Sequence, residues 1–155
     1  LDIRFGPAHC ELMWVDDEPV LIEVAARLTA GNNSILSGLC GGISQLDEVV
    51  DAMLSPDRFL ASLSVQPELK KRAVNLFLMP KRQGRLIRLR GLDKIRGLPT
   101  LHSLSVRAQP GDMIGRVAGL VTLVNEDIRS IEHDVSVIRE LEAAGIFEVD
   151  APLHG

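Results

Sequence analysis

At 155 residues the chain has room for one ordinary domain, or for the edge of one domain and a small second unit. Hydrophobic residues make up 46% and charged residues 25%, a globular balance that excludes a disordered chain. The net charge of −4 excludes a general nucleic-acid binder, which needs a basic face.

The first predicted element is a hairpin over residues 7–28, within the run GPAHCELMWVDDEPVLIEVAARL. A helical stretch follows over 32–63. Asp47 is a plausible N-cap ahead of Val49, Val50, Met53 and Leu54 at helical spacing. Ser55-Pro56-Asp57 then starts another turn of helix, with Phe59, Leu60 and Leu63 apolar. Val65-Gln66-Pro67 reads as a linker, which divides the chain into regions 1–67 and 68–150. Short β-like runs come next at 73–79, 84–89, 101–107 and 120–124. Pro80, Gly84, Gly97-Leu98-Pro99 and Pro110-Gly111-Asp112 supply the turns between them. The last predicted element is an amphipathic helix over 127–144. Asn125 or Asp127 can cap it, Ile128, Ile131, Val135, Ile138 and Leu141 form its apolar stripe, and Gly145 stops it.

Three other features limit the function. The basic run from Lys81 to Arg96 has no interleaved aromatic residues, so it reads as a solvated strand face before a phosphate or partner surface. Cys10 and Cys40 make no CxxC motif, which suits a reducing cytoplasm. No apolar run is long enough for a transmembrane helix, so no membrane partner is expected.

The hairpin carries the chemistry. With Asp16-Asp17-Glu18 as a three-residue turn, Val15 pairs Pro19, Met13 pairs Leu21, Glu11 pairs Glu23 and His9 pairs Ala25. Side chains alternate between faces. One face then holds Cys10, Leu12, Trp14, Val20, Ile22 and Val24, and is expected to be core. The other holds His9, Glu11, Met13, Leu21, Glu23 and Ala25, and continues to Arg27. Two glutamates thus oppose each other on one face, and like charges directly opposite are destabilising. A divalent cation between them answers that cost, since carboxylate oxygens suit Mg²⁺ or Mn²⁺. Arg27 could fork onto a phosphate or carboxylate, and Met13 with Leu21 could floor a flat aromatic base. The plainer reading is a solvated glutamate pair with Arg27 as its salt-bridge partner.

Glu11, Glu23 twelve residues later, and Arg27, set within HCE…PVLIEVAAR, resemble the metal-binding strands of ATP-grasp enzymes. GPAHCE with LIEVAARL looks closest to their amino-acid ligase branch, and residues 68–145 resemble the small C-terminal subdomain of these ligases and of biotin carboxylase. The resemblance implies an α+β fold: the C-terminal part of an ATP-grasp domain, hairpin plus helices, followed by a small α+β subdomain. It implies that Glu11 and Glu23 hold Mg²⁺ (or Mn²⁺) on the phosphates of ATP, and that Arg27 binds the transferring phosphate or acyl phosphate. Met13 would border the adenine and His9 the phosphate or substrate. Where the family often has asparagine, two residues after the second glutamate, this chain has Ala25, so that ligand is missing or comes from Asn32 or water. The family's N-terminal domain and glycine-rich lid are not in this sequence, which reads as a C-terminal fragment.

The implied parent is a cytoplasmic ATP-dependent carboxylate–amine ligase. It works through an acyl phosphate, takes an amino acid among its small-molecule carboxylate and amine substrates, and leaves room for a homodimer. The fragment alone is expected to be inactive. Two other readings stay open: a different ATP-grasp enzyme, biotin-carboxylase-like or from the purine pathway, and a non-enzymatic α+β binding module.

Overall fold

The computed structural model describes residues 5–66 and 68–150. The chain splits into two compact units, one up to Lys70 and one from Lys71 onward. Pro67, the last residue of the predicted linker, lies outside the described residues.

The first unit begins with an antiparallel hairpin, β1 (His9–Val15) and β2 (Glu18–Ala25). Three helices follow: α1 (Asn33–Gly41), α2 (Gln45–Leu54) and α3 (Pro56–Ser62). Glycine breaks the predicted helical stretch. Gly42, at φ 75°, ends α1 in the left-handed conformation that residues with a Cβ rarely adopt. Ser44 rather than Asp47 caps α2. Its backbone is extended and its hydroxyl accepts from the Leu46 N–H at 3.1 Å, while Asp47 and Glu48 lie within the first turn, where their charge suits the helix dipole. Pro56 opens α3, where its missing N–H costs nothing. No hydrophobic residue of this unit reaches full burial among those described, and Val50, Met53, Leu54, Leu60 and Leu63 are all exposed.

The second unit contains β3 (Arg72–Leu78), β4 (Gly84–Leu89), α4 (Leu92–Arg96), β5 (Leu101–Ser105), β6 (Met113–Ile114), β7 (Gly119–Asn125), α5 (Ile128–Ala144) and β8 (Phe147–Val149). β7 lies between β3 and β5 in one antiparallel sheet, and β4 lies between β6 and β8 in another. Alternation puts Leu76, Leu78, Val121 and Leu123 inside, where α5 contributes Ile131 and Ile138. Val135 and Leu141 pack partly against this core. Ile128, the first residue of α5, is exposed and drops out of the predicted stripe. Of the two proposed caps Asp127 is the one used: it accepts from the Arg129 N–H at 3.0 Å, while Asn125, the last residue of β7, accepts from the N–H of Asp127 itself at 2.9 Å. Gly145 ends α5 at φ 98°.

Asp134 interrupts the apolar face of α5 yet is fully buried. Its carboxylate accepts from the Thr100 N–H at 3.0 Å and the Thr100 hydroxyl at 2.7 Å. Gly119 marks a close approach of chains. A Cβ there would fall 2.8 Å from Val106 Cγ2 and 3.0 Å from the Ser105 carbonyl.

The basic run is largely used within the unit. Arg82 donates to the Val149 carbonyl and Arg85 to the Gly111 carbonyl, while Arg90 pairs with Glu148 and Arg96 with Asp93. Among the described residues no helix is long and apolar enough to cross a membrane.

Candidate functional site

The hairpin turn is tighter than its sequence suggests. Asp16 and Asp17 both adopt positive φ, at 49° and 63°, and Val15 pairs directly with Glu18. This is a two-residue turn of the kind whose twist matches that of the strands, with aspartates tolerating the left-handed region. Trp14 therefore faces Pro19, Met13 faces Val20 and Leu12 faces Leu21. The register then shifts between Glu11 and Leu12. Ile22 is left without a partner as a β-bulge, and Glu11 faces Glu23, Cys10 faces Val24 and His9 faces Ala25.

Three expectations are corrected by this register. The turn has two residues, not three. Leu21 moves to the face of Leu12 and Trp14, so the apolar residue beside Met13 is Val20. The face holding Cys10, Leu12 and Trp14 is not core: Cys10 is exposed, Leu12 is 60% exposed and Trp14 70%, because no described element of this unit covers it.

At the base of the hairpin, the paired glutamates share a face as expected. Without the bulge a two-residue turn would set Glu23 opposite Cys10, on the other face, so the extra residue puts the two glutamates at paired positions. Both are exposed, and neither forms an ion pair among the described residues. Their like charges lie at directly paired positions with no counterion among the described residues. His9 is half-buried two residues before Glu11. Met13, two residues after it, is 54% exposed.

Arg27 lies two residues beyond β2. Its N–H donates to the Ala25 carbonyl at 2.9 Å and its guanidinium to the Leu28 carbonyl at 3.0 Å, so it is not spent on either glutamate. The salt bridge that the plainer reading gave Arg27 does not form among the described residues, and the exposure of both glutamates suits a solvated pair as it suits a bound cation. Asn32 uses its backbone carbonyl for the first turn of α1, accepting from Ile35 and Leu36 N–H groups, both at 3.0 Å.

No group of three or more His, Cys, Asp or Glu side chains placed for a metal occurs among the described residues. Any cation here would take two protein carboxylates and complete its shell from phosphate oxygens and water. That is how Mg²⁺ is usually held, and the exposure of both carboxylates leaves room for it.

Two further observations escaped the sequence. An apolar cavity of about 610 Å³ lies among Phe5, Pro7, Val49, Met53 and Phe59, and none of the predicted site residues lines it. The hairpin base is also tied to the helices. The Gln45 side chain accepts from the Thr29 N–H and donates to the Ala8 carbonyl, each at 3.3 Å, and Asn33 donates to the Thr29 hydroxyl at 3.4 Å. A lone glutamine opening a helix gives no sequence signal of such a bridge.

The chain is 25% identical to dapdiamide A synthase of Enterobacter agglomerans, over 92% of this chain and 35% of that protein. It thus spans about a third of the length of that curated relative. The L-amino acid ligase from Bacillus licheniformis superposes with a TM-score of 0.74 at 20% identity, over 97% of this chain and 38% of the ligase. Phosphoribosylglycinamide synthetase from Anaerococcus prevotii gives 0.64 at 14% identity, over 92% and 36% of the two chains. N5-carboxyaminoimidazole ribonucleotide synthetase from Thermotoga maritima gives 0.57 at 19%, over 93% and 37%. No protein-family model matches the chain. The fold is that of the C-terminal portion of ATP-grasp enzymes, and the expected resemblance stands.

Proposed function

We propose that this chain supplies the metal- and phosphate-binding hairpin of an ATP-dependent carboxylate–amine ligase, with an amino acid among its substrates. The observation that carries the reading is the bulge-dependent opposition of Glu11 and Glu23 on one open face, with Arg27, which makes no ion pair among the described residues, beyond the end of the second strand. Likeness in sequence to dapdiamide A synthase and in fold to an L-amino acid ligase supports this substrate class.

Such a ligase transfers the terminal phosphoryl group of ATP to a carboxylate, giving an acyl phosphate and ADP. An amine then attacks the acyl carbon and phosphate leaves. The protein's part is mostly positioning and charge neutralisation. Glu11 and Glu23 would hold Mg²⁺ or Mn²⁺, which when bound offsets the negative charge of the phosphates. Arg27, always charged and planar, would take two oxygens of the phosphate or acyl phosphate. His9 would border the phosphates or substrate and Met13 the adenine. Ala25 offers no ligand, so two carboxylates and one cation are enough for this reading. Residues 1–67 and 68–150 would serve as a hairpin-and-helix part and a small subdomain. Activity would belong to a protein of the relatives' length, with the 155-residue chain alone inactive.

The test is amino-acid-dependent phosphate release from ATP by the natural full-length protein. Glu11→Gln and Glu23→Gln should each lower turnover by about 100-fold or more, since each removes a charged group beside the phosphates. Glu18→Gln, at the hairpin tip, should leave turnover unchanged. Near wild-type turnover in Glu11→Gln and Glu23→Gln at ordinary Mg²⁺ would return the pair to a solvated face.

A further inference from the structure

We propose that Gln45 is a positioning residue for the glutamate pair, its side-chain amide bridging the two backbone segments at the open end of the hairpin. The inference rests on the reading of Glu11 and Glu23 as a metal–phosphate site. Cross-strand pairing stops at His9 and Ala25, so beyond that point nothing in the ladder fixes how far the two segments splay. Gln45, the first residue of α2, reaches both of them. It donates to the Ala8 carbonyl, one residue before β1, and accepts from the Thr29 N–H, two residues after Arg27.

The chemistry of the bridge singles out an amide. Ala8 presents its carbonyl to the bridge, an acceptor, and Thr29 its N–H, a donor, so the partners fix which end of the side chain faces which. An ionised glutamate could accept from Thr29 but could not donate to Ala8. A lysine could donate but not accept. Ser44, the residue before, caps α2 and anchors the helix start from which Gln45 extends. Asn33 of α1 holds the Thr29 hydroxyl, so Thr29 is fixed from two helices. The segment that carries Arg27 is thereby referenced to the same helix as the segment that leads into His9 and Glu11. Small displacements of groups that grip a phosphate are costly, which is why such a tie matters.

Two measurements test this. The first is amide hydrogen exchange in the chain itself. Gln45→Met, similar in length but without the amide, should speed exchange at Thr29 by about tenfold and loosen the hairpin base around Cys10 and Val24. The tip amides at Val15 and Glu18 should be unaffected. The second is the affinity of the natural full-length protein for Mn²⁺–ADP, read from the free Mn²⁺ spin-resonance signal. Gln45→Met should weaken it by about tenfold with little change in melting temperature. Gln45→Glu, which keeps the Thr29 bond, should fall between Gln45→Met and wild type. Unchanged Thr29 exchange in Gln45→Met, or unchanged Mn²⁺–ADP affinity while Glu11→Gln loses it, overturns the role of Gln45 alone. Wild-type affinity in Glu11→Gln overturns the metal-site reading and this inference with it. Loss of the fold in both Gln45 variants also overturns the inference, because the amide would then be a general structural tie.

Discussion

α5 in the second unit and α2 in the first are both amphipathic helices begun by a side-chain oxygen cap, Asp127 in one and Ser44 in the other. Their apolar faces meet different fates. Ile131 and Ile138 of α5 are fully buried, whereas Val50 and Met53 of α2 are 52% and 70% exposed. The strands repeat the contrast. β7 buries Val121 and Leu123, while the apolar face of the hairpin leaves Leu12 and Trp14 open. Every buried hydrophobic residue among those described lies in the second unit. Periodicity and caps are enough to shape an element, but burial needs a second apolar face opposite the first. The second unit supplies that face from within itself, where α5 packs on β3 and β7; the first does not.

Truncations should expose this contrast most sharply. Ile131→Ala should destabilise the second unit by roughly 2–5 kcal/mol, because transfer energy and cavity cost add at a fully buried site. Val50→Ala in α2 should stay within about 0.5 kcal/mol, as surface changes usually do. Equal melting-temperature losses from the two would break the distinction between the units.

Gly119→Ala probes the most crowded glycine of the second unit among those described. The added methyl must displace Val106 or the Ser105 backbone, at a cost of roughly 1–3 kcal/mol in chemical denaturation. A neutral result would mean that β7 and its neighbours are packed more loosely than the buried core implies.

The smallest expected effect is electrostatic. The Arg129 backbone N–H, with its guanidinium adding to the effect, holds the Asp127 carboxyl below its ordinary value. A depressed carboxyl favours the folded state above its unfolded value of about 3.9, and that advantage is lost as pH falls through the folded value. Asp127→Asn should therefore melt slightly below wild type near neutral pH and coincide with it in strong acid. A gap that persists in acid would assign the effect to cap geometry and not to charge.

Much of the second unit was legible because its elements carry strong local signals. β4 falls on its predicted bounds, and α5 starts and stops at Asp127 and Gly145 as read. α4, β6 and β8 were missed because runs of five, two and three residues are too short to show a period. Burial in the first unit was misread because alternation shows which residues share a face but not whether anything covers it. The glutamate pair survived an incorrect turn for a simple reason. A three-residue turn without a bulge and a two-residue turn with one place residues 11 and 23 opposite each other alike. Gln45 was invisible because its bridge joins residues 8, 29 and 45, and no local pattern records such a contact.

The bulge at Ile22 also divides the ribbon into two lengths with separate registers. The tip, from Leu12 to Leu21, is aligned by its own turn, and the base is aligned by the pairs from Glu11 outward. A turn that took in Glu18 as its third residue would set Glu11 opposite Glu23 with no bulge at all, so turn length and bulge are interchangeable at the base and exclusive at the tip.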